Sequence, residues 1–157
     1  MAVFVAETMP AGEPLDGVIL LAPALGPEYD LTNALAGSGG RMLSCSASND
    51  FLLRTLTTVG QNFDGAKGKT AGQTGFKLPA GAGEKRSEAF TMLRQLHWDL
   101  AMLRKGNWGG HFGWADPIWV RDALAPVIRD WAAGAALPVS APVAAGPEEA
   151  ARGAGGE

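Results

Sequence analysis

The sequence predicts an α/β fold of about three parallel strands with flanking helices. Two observations carry that expectation. The run Gly17-Val18-Ile19-Leu20-Leu21-Ala22 is continuously apolar, is rich in β-branched and aliphatic residues, and is closed by Pro23. Such a run suits a strand covered on both faces, as in a parallel sheet beneath helices. Weaker strand candidates at Arg41–Ser46 and around residues 92–98 then alternate with segments of helical period. That alternation is the pattern of α/β architecture.

Taken in order, residues 2–9 read as the last turns of a helix, with Pro10 as the stop. No capping residue precedes Ala2, as though the helix began earlier in a longer chain. Gly17–Ala22 is the first strand. Leu31–Leu35 is a short helix or turn closed by Gly37-Ser38-Gly39-Gly40, and Arg41–Ser46 is the second strand. Phe51–Val59 reads as a helix with Phe51, Leu52, Leu56 and Val59 on one side. Residues 60–86 hold seven of the glycines and few apolar side chains, so a long loop or insert, decorative or disordered, is expected there. From Glu88 the apolar pattern resumes. Met92, Leu93, Leu96 and Trp98 fit a third strand, and periodicity alone fits a helix nearly as well. Ile118–Trp131 is amphipathic, with Pro117 in its first turn and Pro126 expected to kink it. Residues 1–133 are expected to be one domain and the Ala/Gly/Pro/Glu-rich residues 134–157 a disordered tail.

Composition excludes several classes. The net charge of −3 argues against a nucleic-acid or membrane footprint. Lys67, Lys69, Lys77, Lys85 and Arg86 are spread among glycines without aromatic interleaving, which describes a solvated loop. Cys45 is the only cysteine, so there is no internal disulfide and no cysteine-based zinc site. The apolar N-terminus lacks a basic n-region and is broken by Glu7 and Pro10, so neither signal peptide nor membrane span is read there. The expectation is a cytoplasmic protein with no cofactor and no metal.

The chemistry concentrates in Gly109-Gly110-His111-Phe112-Gly113-Trp114. Glycines on both sides of a histidine let the backbone bend sharply and leave the imidazole uncovered. Upstream, Asp50 follows the second strand. An acid after one strand and a later histidine form the second part of a Ser…Asp…His order. Each residue also has a plainer explanation: His111 as a turn histidine, Asp50 as the N-cap of the helix starting at Phe51. His97, between Leu96 and Trp98, reads as a strand residue. No G-x-S-x-G occurs. Gly37-Ser38-Gly39 has the wrong spacing, Ser44, Ser46 and Ser48 lack flanking glycines, and Cys45 lacks any feature that would lower its pKa.

The strings Leu15–Leu25, Tyr29-Asp30-Leu31, Asp50-Phe51-Leu52-Leu53 and Gly106–Trp114 together resemble the C-terminal half of α/β-hydrolase-fold proteins, bacterial serine-hydrolase-like members in particular, over roughly residues 2–131. The resemblance implies that the three strands correspond to the family's sixth to eighth. It makes Asp50 and His111 the acid and base of a catalytic triad, and residues 2–9 the helix after the nucleophile elbow. The serine and oxyanion hole would then lie ahead of Met1 in a full-length relative. The implied protein is a truncated hydrolase, inactive alone. Its intact relatives would act on a small acyl or ester substrate, and a partner strand or N-terminal half would complete it. The alternative is a non-catalytic interaction module that pairs through an exposed strand edge.

Overall fold

The computed structural model describes residues 2–59 and 61–134. The tail expected over 134–157 therefore lies, but for Gly134, outside the described residues. Three strands, β1 (Val18–Leu21), β2 (Met42–Ser46) and β3 (Leu93–His97), form a sheet in the order β1-β2-β3. Both pairings are parallel: Val18 lies opposite Met42, and Met42 opposite Leu93. Helices flank this sheet, so the architecture is mixed α/β.

Side chains alternate across the strands and sort into two cores. On one face, Val18, Leu20, Met42 and Leu93 pack with Val3 and Ala6 of α1 (Ala2–Glu7), with Ala34 and Leu35 of α2 (Thr32–Gly37), and with Ala89 of α5 (Glu84–Thr91). On the other, Leu43 and Cys45 pack with Leu53 of α3 (Phe51–Val59) and with Trp114, Trp119 and Trp131 from the C-terminal segment. β2 is the central strand and every residue of it is buried. β1 and β3 are the edges of the described sheet, and Leu21 is 38 % exposed.

The structure differs from expectation in four places. The first helix ends at Glu7, ahead of Pro10. Helix α3 forms where expected, but Phe51 and Leu52 point to solvent and Leu53 points inward. The cause is its cap: Asp50 Oδ1 accepts from the Leu53 N–H at 2.9 Å and so fixes how the first turn meets the sheet. Leu56 and Val59, the other expected face positions, lie outside the residues whose side chains are described. Third, the described part of 60–86 holds α4 (Ala71–Thr74) and the start of α5. Its backbone is tied to the end of β1: Phe63, Gly72, Ala71 and Lys77 N–H donate to the carbonyls of Ala24, Pro23, Leu25 and Pro27 at 2.7–3.0 Å. Gly72 O in turn accepts from Ala47 N–H beyond β2. The segment is thus a strap across the carboxyl ends of β1 and β2. Last, Pro126 does not simply kink the final helix. Residues 117–132 run as α6 (Pro117–Trp119), a π turn at Val120–Leu124, and α7 (Ala125–Ala132). The wider turn carries the backbone past a ring that lacks an N–H and would press on the preceding carbonyls.

Helices α1 and α2 approach so closely that the space a Cβ on Gly37 would fill is taken by the Ala6 carbonyl oxygen. Gly37→Ala is therefore expected to lower stability in urea unfolding by about 1–3 kcal/mol through overpacking. Gly110→Ala, where nothing lies within 4 Å of the new methyl, is expected to stay within about 0.5 kcal/mol of the parent.

Candidate functional site

The carboxyl ends of parallel strands are where open α/β sheets place their sites. Here β2 runs into Ala47-Ser48-Asn49-Asp50, and α3 starts immediately after. Asp50 is fully buried, with no exposed surface. Its two oxygens are used differently. Oδ1 caps α3 through Leu53 N–H, and Oδ2 lies 3.0 Å from His111 Nδ1. The two readings available from sequence, helix cap and histidine partner, are both realised by one carboxylate.

His111 is positioned by a loop built around Asn107. The 3-10 helix Leu100–Lys105 is capped by Asp99, whose Oδ1 accepts from Ala101 and Met102 N–H. It ends at Gly106 in a left-handed conformation. Asn107 then turns inward, fully buried. Its Oδ1 accepts from Gly109 N–H at 2.9 Å, and its carbonyl accepts from Trp98 Nε1 at 3.0 Å. Gly109 has φ +76°, and a Cβ there would meet the Trp98 ring at 2.5 Å and Asn49 Nδ2 at 2.7 Å. Only glycine fits. The loop thus folds back on the end of β3 and delivers the imidazole to Asp50.

With Nδ1 directed at a carboxylate, the neutral ring carries its proton on Nδ1 and leaves Nε2 as a base. A carboxylate in that position also stabilises the ring once it is protonated. His111 is partly open, at 31 % side-chain exposure, and its Nε2 has no hydrogen bond among the described residues. The ring lies at the junction of two hollows. One, of about 300 Å³, runs past Ala2–Phe4 of α1, the end of β1 and Phe63. The other, of about 560 Å³, is bounded by Trp108, Phe112 and Pro117. Ala22, in the first hollow, has φ +47° and is the one described non-glycine residue with positive φ.

No described serine or cysteine hydrogen-bonds His111. Ser38 Oγ donates to Leu35 O. Ser44 Oγ is buried without a partner. Ser46 Oγ lies 3.0 Å from Nδ1 of His97, its register partner on β3. That serine–histidine pair is closed to substrate, since Ser46 is 2 % exposed. Cys45 is wholly buried, and burial pushes its thiol up from 9.0 to about 12. Among the described residues no group of three His, Cys, Asp or Glu could hold a metal ion, and no helix is long and apolar enough to cross a membrane.

The structure brings Asp50 and His111 together, and pairs His97 with Ser46 instead. Sequence reasoning missed Asn107 and Phe63. For Asn107 the available signal was an asparagine directly after a glycine of the kind that closes a helix. For Phe63 there was none, because its place depends on the strap. Comparison with known proteins finds no matching family model, no matching curated protein and no matching solved structure.

Asp50→Ala removes the cap of α3, whereas Asp50→Asn keeps a good capping side chain. In urea unfolding the alanine variant is expected to be less stable than the asparagine variant by about 1 kcal/mol; equal stabilities would remove the cap from the account. Cys45 gives a second expectation. Its folded value is raised, so the folded state holds a proton that the unfolded state releases above about pH 9. Its contribution to stability is therefore complete below pH 9 and lost as pH rises towards 12. Tyr29, raised to about 12 by burial and by donating to Glu7, adds a loss of the same sign. At pH 8 a thiol reagent such as dithiobisnitrobenzoate is expected to leave Cys45 unmodified in the folded chain and to titrate it fully in urea.

Proposed function

We propose that this chain carries the acid and base of a Ser–Asp–His acyl-hydrolase site of α/β-hydrolase type, and that polypeptide outside these 157 residues supplies the nucleophile. The observation that carries the reading is the 3.0 Å contact between His111 Nδ1 and Asp50 Oδ2 at the carboxyl end of a parallel sheet. Nε2 has no hydrogen bond among the described residues, and the ring lines the hollow that also reaches Ala2–Phe4. In the complete site a serine hydroxyl within reach of Nε2 attacks an ester or thioester carbonyl. His111 takes the hydroxyl proton and returns it to the leaving group, while Asp50 holds the ring in place. Among the described residues the base has no serine or cysteine nucleophile hydrogen-bonded to it.

A second reading, from a different class, is a non-catalytic module that pairs through a strand edge. It is favoured by one observation: β1 is an edge of the described sheet, and a run free of charge and proline forms it. Such an edge is a template for another strand.

The isolated chain is expected to give no turnover of short-chain 4-nitrophenyl esters and no labelling by a fluorophosphonate probe. Diethyl pyrocarbonate is expected to modify His111 at its free Nε2, and Asp50→Asn to slow that modification. Labelling of a single serine, abolished by His111→Ala, would contradict the missing nucleophile. A His111 that reacts no faster than in Asp50→Asn would contradict the pair. Concentration-dependent dimers that persist in His111→Ala and are lost on placing lysine at Ile19 would favour the edge-pairing module instead.

A further inference from the structure

We propose that the hollow bounded by Trp108, Phe112 and Pro117 is a docking groove for this chain's own residues 137–149, which return along α7 as an extended, proline-containing strand. The occupant is thus a segment of the same molecule. The proposal does not rest on the acid–base reading of Asp50 and His111.

The groove is apolar although it faces solvent. Trp108 and Phe112 are 74 % and 77 % exposed, and Ile118 is 47 % exposed. These side chains share one surface. Trp108, Phe112 and Pro117 line the hollow of about 560 Å³, and a Cβ on Gly106 would meet both Asp116 and Ile118. Asp116 is the single charged lining residue, and its Oδ1 is engaged by Ile118 and Trp119 N–H. Further along, Ile128 and Ala132 of α7 are exposed and four residues apart, which puts them on one side of the helix. An exposed apolar surface of this extent marks a binding face.

Reach and charge identify the occupant. α7 ends near the amino ends of the strands: a Cβ on Gly17 would strike the Trp131 ring, and Arg41 Nη1 donates to Trp131 O at 3.5 Å. Pro117 opens the same helical run at the hollow. Residues 117–132 span about 24 Å at about 1.5 Å per residue. Covering that distance in reverse takes about eight residues of polyproline II chain at about 3.1 Å each. Counted from Gly134, this brings Pro142 to the aromatic hollow and carries Leu137, Pro138 and Val139 past Ile128. Proline-containing strands suit aromatic-lined grooves because they have little conformational entropy left to lose. Beyond Pro142 come Glu148 and Glu149, and the exposed Arg104 and Lys105 end the 3-10 helix directly before Gly106. Opposite charges therefore meet where the strand leaves the hollow. Tethering also raises the local concentration of the segment to about the millimolar range, so weak contacts suffice.

The test is paramagnetic NMR on the full chain with Ser140→Cys carrying a nitroxide. Cys45 is buried, so the label enters at one place. Broadening is expected at the Trp108 indole N–H and at the Ile118 and Ile128 methyls, and not at the Leu35 methyls in the core on the other sheet face. It is expected to be independent of protein concentration. At the two isoleucines it is expected to fall by at least about threefold in Trp108→Ser, and equally in the double change Pro142→Ser, Val143→Ser. Trp108 is exposed and the serine pair lies beyond α7, so neither change enters the packed cores. Glu148→Lys with Glu149→Lys is expected to reduce the broadening as well. Broadening spread evenly over both sheet faces, or unchanged by all three sets of substitutions, would overturn the proposal. So would transfer of the broadening, in a mixed sample, from a nitroxide-bearing chain to an isotope-labelled one, which would assign the groove to a second copy. Cosedimentation with phosphatidylcholine vesicles that is lost in Trp108→Ser would assign it to a lipid surface and overturn the proposal too.

Discussion

The carboxylate of Asp50 is the point on which the rest of the arrangement depends. One oxygen starts helix α3 and the other meets His111 Nδ1. A buried carboxylate without partners would be expensive. Here the cost is offset by two hydrogen-bonding partners from separate parts of the chain. The central strand β2 delivers the residue, the helix fixes its rotamer, and the loop after β3 brings the histidine.

The remaining devices serve that meeting. Asn107 folds the 106–113 loop about its own side chain, and Gly109 lets the loop pass against Trp98. The strap at 61–77 ties the ends of β1 and β2 together by backbone hydrogen bonds and places Phe63 beside the imidazole. Three tryptophans fill the opposite face, with Trp114 and Trp119 edge-on at 5.6 Å. They hold the segment that follows the histidine loop against the sheet. The chemistry available is that of an oriented imidazole beside an apolar cleft, with no described serine or cysteine hydrogen-bonded to it.

Much of this was legible in the sequence, and the legible parts share a cause. Val18–Leu21 is an unbroken apolar run that begins with two β-branched residues, and Met42–Ser46 is a weaker one whose every residue is buried. His111 was legible because glycine on either side has few uses apart from a bend that exposes the ring. What periodicity could not show was order maintained by backbone contacts. The strap has few apolar residues, yet Gly72 fits where a side chain would strike Ala22 and Leu53. Likewise the orientation of α3 follows from a cap and not from its apolar positions, so Leu53 is buried and Phe51 is not. The passage around Pro126 depends on a π turn, which no local composition announces.

The most direct test of the Asp50–His111 pair is the tautomer of the neutral His111 imidazole, read from its ring ¹⁵N shifts. The account predicts a proton on Nδ1 and a bare Nε2 in the parent chain, with the preference lost in Asp50→Asn. A neutral ring protonated on Nε2, unchanged by Asp50→Asn, would contradict it.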